Sequence, residues 1–211
     1  MPDVPREVVL RLYDEGVDAF AAQAGAVTVE GWAQPTCGEW SGAQLTRHVA
    51  AVAGWYHDWL DRAERSDATP PFSGEELGVQ NERALDALGA LDGPMALELF
   101  VTRARAYRDR LPAAWDLPYG YPRGTVTAGL HAALATTEWH LHAWDLAQAS
   151  GDATHRPSDP VALYRAAGAC LTAVTGGFKG RVAEVLVPVG AHLRPWEAML
   201  RRSGRAPGPG D

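Results

Sequence analysis

Apolar residues recur at steps of three and four along most of this chain, and glycine, proline and capping residues mark the breaks. Val9, Leu12, Tyr13, Val17 and Phe20 form one such stripe, which predicts a helix over about 5–23 that stops at Gly25. The stretch 26–40 contains Gly31, Pro35 and Gly38 and reads as a linker. Ser41 followed by Gln44 has the spacing of a capping box, in which each side chain bonds the other residue's backbone amide. The helix it opens should reach about residue 65, with Leu45, His48, Val49, Val52, Trp55 and Trp59 on its inward stripe. Ser73 and Glu76 repeat the capping pattern ahead of a helix to about residue 91, and another amphipathic run covers 95–111.

Three prolines and two glycines predict a loop over 112–124. The segment 126–150 has seven alanines and no proline, with Gly151 placed to end a helix. A further helix is expected over 158–174, a short β-like run over 185–189, and a brief helix over 195–202. Several long helices with short connections predict an all-α protein, an antiparallel four-helix bundle spanning 1–175. Residues 176–211 would then be an extension packed on the bundle, carrying an extra helix and a short irregular or β segment. The stretch 204–211, with its prolines and glycines, is expected to be a disordered tail.

Composition narrows the partners. The 211 residues carry a formal net charge of −7, which disfavours nucleic acid as a partner because phosphate binding depends on basic surface. No apolar run approaches the roughly 18 residues of a membrane span. The two cysteines, Cys37 and Cys170, are too few for a disulfide framework, and a cytoplasmic setting is expected. Seven histidines and eight tryptophans stand out against this background.

Potential ligands concentrate in Thr137-Glu-Trp-His-Leu-His-Ala-Trp-Asp145. On a strand, His140 and His142 would share a face; on a helix they lie about 200° apart and cannot hold one ion together. The alanine-rich context predicts helix, so the pair on one face is Glu138 and His142, with His131 and Asp145 close to the same stripe. His48 is the candidate third ligand. It lies about 10 Å into its helix and His142 about 13 Å from the end of its own, so antiparallel helices bring them level. His57 points to the opposite face. Two histidines and one carboxylate leave coordination positions open, and the set suits Zn, Ni, Mn or Fe(II). Asp145 would orient a ligand histidine through its other ring nitrogen. An ordinary Glu–His helix pair and a satisfied core histidine would produce the same spacing. Trp55 and Trp59 lie below His48 and are candidate pocket residues, although aromatics at this spacing also serve the core.

The stretch from Trp32 through Cys37, Trp40 and His48 to Ala50 resembles the N-terminal signature of the mycothiol-dependent maleylpyruvate isomerase family, a branch of the DinB-like metal-binding bundles. Glu138-Trp-His-Leu-His-Ala-Trp-Asp-Leu-Ala147 is similar to that family's second signature, and Leu200 to Pro207 to its usual close. The resemblance implies a DinB-like bundle and His48, Glu138 and His142 as ligands of a divalent metal, usually zinc. It also implies mycothiol, a low-molecular-weight thiol, as co-substrate. The family's namesake carries a further C-terminal domain that contributes to activity, and a chain of this length leaves no room for one. The expected activity is therefore a metal- and mycothiol-dependent S-transferase or isomerase acting on a small electrophile, rather than isomerisation of maleylpyruvate itself. No protein nucleophile is required beyond a metal-held thiolate or water. A metal-assisted hydrolase and a non-catalytic DinB-like metal-binding stress protein are the alternatives. A homodimer is compatible with such a bundle, and no sequence feature selects one.

Overall fold

A computed structural model describes residues 4–150, 155–175 and 194–206. Helix α1 covers Arg6–Ala26, and α2 covers Gly42–Glu64. A short hairpin of β1 (Pro35–Cys37) and β2 (Trp40–Ser41) lies between them. Helix α3 is Leu77–Ala87 and α4 is Gly93–Ala114; a second hairpin, β3 (Pro118–Tyr121) and β4 (Gly124–Thr127), leads into α5 (Ala128–Ser150). Helices α6 (Pro160–Thr175) and α7 (Pro195–Arg202) follow. No helix among the described residues is long and apolar enough to cross a membrane.

The protein is all-α in its framework, a four-helix bundle of α1, α2, α4 and α5. Helix α1 packs along α5 and α4, and α2 packs along α4 and α5. Helices α2 and α5 run antiparallel, since His48 meets His142 while Tyr56, two turns further on, meets Glu138. Helices α2 and α4 start side by side, with Trp32 lying against both Gly42 and Gly93, so they run the same way. The crossover through α3 makes this possible, and α3 itself buries no residue.

Local sequence accounts for the helix starts. The Ser41 hydroxyl accepts from the Gln44 amide at 3.3 Å, and Gln44 Oε1 accepts from the Ser41 amide at 2.9 Å, completing the capping box. Asp92 caps α4 by accepting from the Met95 amide at 2.8 Å. Ser73 does not open a helix: its amide and hydroxyl both bond the Glu76 carboxylate, and α3 begins only at Leu77. At Gly16 the chain needs the smallest residue, because an added Cβ would sit 3.0 Å from Trp139 Cβ and 3.1 Å from the His140 ring.

The expected loop over 112–124 is not a loop. Helix α4 runs through Pro112 to Ala114, and β3 and β4 then pair antiparallel around Pro122 and Arg123. Burial drives this: Leu111, Ala114 and Trp115 hold the last turn in the core, and Tyr119 and Val126 face inward from the hairpin. A smaller core of Leu12, Trp144, Leu163, Trp196, Met199 and Leu200 fastens α6 and α7 to the bundle. The expected β-like run over 185–189 lies outside the described residues, as does His192. Of the expected disordered tail, residues 204–206 are described, and Arg205 is held inside the protein by an ion pair with Asp145 at 2.5 Å. Residues 207–211 lie outside the described set.

Candidate functional site

The α2–α5 seam carries the candidate residues. His48, in the second turn of α2, is 8% exposed, with its ring 4.7 Å from that of Trp40 and 5.5 Å from that of His142. Burial, reinforced by the neighbouring His142, pushes the His48 imidazole down to about 3. It is therefore neutral at physiological pH and offers a lone pair. One turn before His142 on α5, the partly buried Glu138 accepts a short hydrogen bond from the Tyr56 hydroxyl of α2. Burial raises the Glu138 carboxyl above its ordinary range, only partly offset by the Tyr56 bond and by the nearby His142 and Arg205.

His142 is oriented from behind. Its Nδ1 lies 2.9 Å from Asp145 Oδ2, and Arg205 clamps the same carboxylate through Nε and Nη2 at 2.6 and 2.5 Å. Asp145 is 1% exposed; burial alone would raise its carboxyl, and the bonds from His142 and Arg205 outweigh that and hold it below the usual range. A carboxylate already receiving a guanidinium is an acceptor, so His142 Nδ1 is the donor of this bond and Nε2 is the ring nitrogen turned away from it. A carboxylate behind a histidine in this way is the usual support of a metal-ligating imidazole.

Cys37 of β1 completes the surroundings. Cys37, His142 and Asp145 bring one donor atom each within 4.8 Å of one another, a spacing that suits a metal ion. A single atom, Arg205 Nη2, already reaches all three, at 3.9 Å from Cys37 Sγ, 3.5 Å from His142 Nδ1 and 2.5 Å from Asp145 Oδ2. A cation at that point would meet the guanidinium, so we read this trio as the socket of Arg205. Burial and the nearby Asp145 push the Cys37 thiol up to about 11, which leaves it unreactive at neutral pH. A cleft of about 610 Å³ opens beside these groups, lined by Thr36, Trp40, Trp144, Gln148, Ser203 and Arg205 among others.

The other sequence candidates fall elsewhere. His131 is fully buried; its Nδ1 lies 3.0 Å from the Tyr107 hydroxyl and its ring stacks on Tyr119 at 4.3 Å. It shares the α5 face of Glu138 but sits inside an aromatic core. Trp55 and Trp59 stack on each other and pack against Phe72, and Trp59 also meets Tyr119 and Tyr121. Neither lines the cleft beside Cys37 and Asp145: Trp55 is taken up by Trp59 and Phe72, and Trp59 also by the β3–β4 hairpin. His57 bonds the Arg103 carbonyl on the far side of α2, and His140 bonds His155 and the Leu12 carbonyl. Tyr56 and Arg205 escaped the sequence reading: Tyr56 is one aromatic among several on α2, and Arg205 is sixty residues from its partner. The one signal for Tyr56 was its position two turns beyond His48.

The bundle thus sets a buried histidine of α2 level with a Glu–His pair of its antiparallel neighbour α5. The chain belongs to the mycothiol maleylpyruvate isomerase N-terminal domain family, whose pattern matches residues 13–147. It is 32% identical over 146 residues to the uncharacterized protein Rv0738 of Mycobacterium tuberculosis strain H37Rv, covering 69% of each chain. The uncharacterized protein MT0763 of strain CDC 1551 matches to the same extent. The fold is similar to the crystal structure of the mycothiol-dependent maleylpyruvate isomerase, with a TM-score of 0.57 at 22% identity over 68% of this chain. A histidine-to-alanine mutant of that isomerase gives a TM-score of 0.61 at 20% identity over 84% of this chain. The chain spans 61% of the isomerase chain in the first comparison and 75% in the second.

Proposed function

We propose that the chain is a metal- and thiol-dependent transferase or isomerase, using mycothiol as the thiol and a small electrophile as substrate. His48, Glu138 and His142 would hold a divalent metal, with zinc the first candidate. The observation that carries this reading is the Asp145–His142 bond, which commits Nδ1 and leaves Nε2 as the nitrogen for a metal beside the buried imidazole of His48. Two nitrogens and a carboxylate oxygen match the donor set of open catalytic zinc sites. Bound there, the metal would keep an incoming thiol in its nucleophilic thiolate form at neutral pH.

The chain's own residues do the rest. Arg205 and Asp145 hold the His142 ring in one orientation, and Trp40 packs on His48. The cleft beside Trp40 and Trp144 receives the small molecules, with Gln148, Thr36 and Ser203 as polar contacts and Arg205 as the nearest cation. The Cys37 thiol stays protonated and leaves the nucleophile's role to the co-substrate.

Metal analysis of wild type and His48→Ala, followed by a thiol-consumption assay with mycothiol and a panel of electrophiles, tests this reading. Stoichiometric metal lost in the variant, together with thiol consumption by the loaded wild type, is the expected result. Loaded protein that consumes no thiol with any electrophile refutes it. Turnover of an ester or amide without thiol would move the assignment to a hydrolase.

A further inference from the structure

We infer that Tyr56 is a positioning residue of the metal centre, fixing Glu138 as a one-oxygen ligand by holding its Oε2. The inference rests on the reading above that Glu138 is a ligand. The Tyr56 hydroxyl donates to Oε2, so Oε1 is the oxygen left with its full donor capacity. A carboxylate with both oxygens free can bind a metal through one or both and can rotate between the two. One oxygen tied to a rigid donor removes that choice and keeps coordination positions open for an incoming molecule.

The donor is rigid. Tyr56 is 2% exposed, and its ring stands edge-on to His131 at 4.4 Å. The rings of Tyr107 and Trp139 lie at 5.7 Å and that of Trp59 at 5.8 Å. The Tyr119 hydroxyl donates to the Tyr56 carbonyl at 3.2 Å, which pins the backbone as well. Little conformational freedom remains to be lost when the phenol holds the carboxylate. The antiparallel register completes the arrangement: α2 sends His48 to the level of His142 and, two turns later, Tyr56 to the level of Glu138. One helix thus supplies a direct donor and the support for another.

Tyr56→Phe removes only the hydroxyl and keeps the ring that packs. The test measures zinc affinity by chelator competition, and the visible spectrum of the cobalt-loaded protein, for wild type, Tyr56→Phe and Tyr13→Phe. Tyr56→Phe should bind zinc about ten- to a hundredfold more weakly, the usual effect of removing a partner from a ligand. Its cobalt spectrum should also change, since the carboxylate is free to bind differently. Tyr13→Phe loses a buried hydroxyl of equal size that bonds the Ala104 carbonyl and touches neither Tyr56 nor Glu138, and should keep the wild-type affinity and spectrum. A purely packing role for Tyr56 would alter the melting temperature and leave the cobalt spectrum as it is. Wild-type affinity and spectrum in Tyr56→Phe overturn the inference while the metal reading stands; a wild type that binds no metal overturns both. A second measurement covers a variant that fails to fold: zinc added to wild type should perturb tyrosine ultraviolet absorption. The absence of that perturbation in a zinc-binding wild type also overturns the inference.

Discussion

His142 and Asp145 share one face of α5, three residues apart, with Nδ1 and Oδ2 2.9 Å from each other. The pair orders the seam between α2 and α5, because it decides which nitrogen of His142 is available for chemistry. Asp145→Asn keeps the shape and removes the charge. It should weaken metal binding about ten- to a hundredfold. It should also lower stability by about 3 kcal/mol, since Arg205 would remain buried without its counter-charge. Chelator competition and urea denaturation measure the two effects separately.

Arg205 gives the C-terminal segment a part in the site. Its side chain is 13% exposed and grips Asp145 through two nitrogens. Arg205→Ala and Asp145→Asn should therefore be non-additive, with a coupling energy of about 1–3 kcal/mol in a double-mutant cycle. Additivity within about 0.5 kcal/mol would mean that the two groups do not depend on each other.

The buried histidines set an acid limit. Burial pushes His131 down to about 3 from an ordinary 6.5, so the unfolded chain binds this proton first as pH falls. Stability is then complete above pH 6.5 and declines as pH drops from 6.5 towards 3, by up to about 1.4 kcal/mol per unit for each such group. His48 shares that window, and His155, lowered to about 4 by burial and by His140, shares most of it. His131→Leu should flatten the slope by about one proton. Denaturation midpoints across this range in wild type and variant provide the check.

Much of this fold is legible locally, and much of the site is not. The 3.6-residue period marks α1, α2, α4 and α5, and counting turns predicts that His48 and His142 come level; their rings lie 5.5 Å apart. The hairpin escapes because Pro118, Pro122 and Gly124 carry a loop's composition, while its pairing is stabilised by Tyr119 and Val126 meeting a core the local pattern cannot see. The same holds for Tyr56 and Arg205, whose partners lie 82 and 60 residues away. His131 shares the stripe of Glu138, and the tyrosine rings that surround it are revealed only by the packed structure.

The tight crossing at Gly16 offers a test of the frame that holds α5. Alanine there places a methyl 3.0 Å from Trp139 Cβ and 3.2 Å from His140 Nε2. Overpacking of this kind costs about 1–3 kcal/mol, set against roughly 1 kcal/mol gained from alanine's helix propensity. Gly16→Ala should therefore lower the melting temperature modestly, and a rise would show that α1 and α5 can separate without loss.

His140 and His142, two residues apart on α5, should behave in opposite ways. His140 is fully buried, with Nε2 2.9 Å from the Leu12 carbonyl and Nδ1 2.9 Å from His155, so both nitrogens are occupied in tying α5 to its neighbours. Its removal breaks the bond between α5 and the Leu12 carbonyl and leaves a cavity where the ring was, which should cost about 2–4 kcal/mol. His142 faces the α2 seam with Nε2 available, so its loss should cost less in stability and more in binding. His140→Ala is expected to melt early yet retain stoichiometric zinc when folded, whereas His142→Ala should melt near wild type and retain none. A helix cannot turn both rings to one ion, so zinc lost equally from both variants of intact fold would mean that α5 is locally extended at this point.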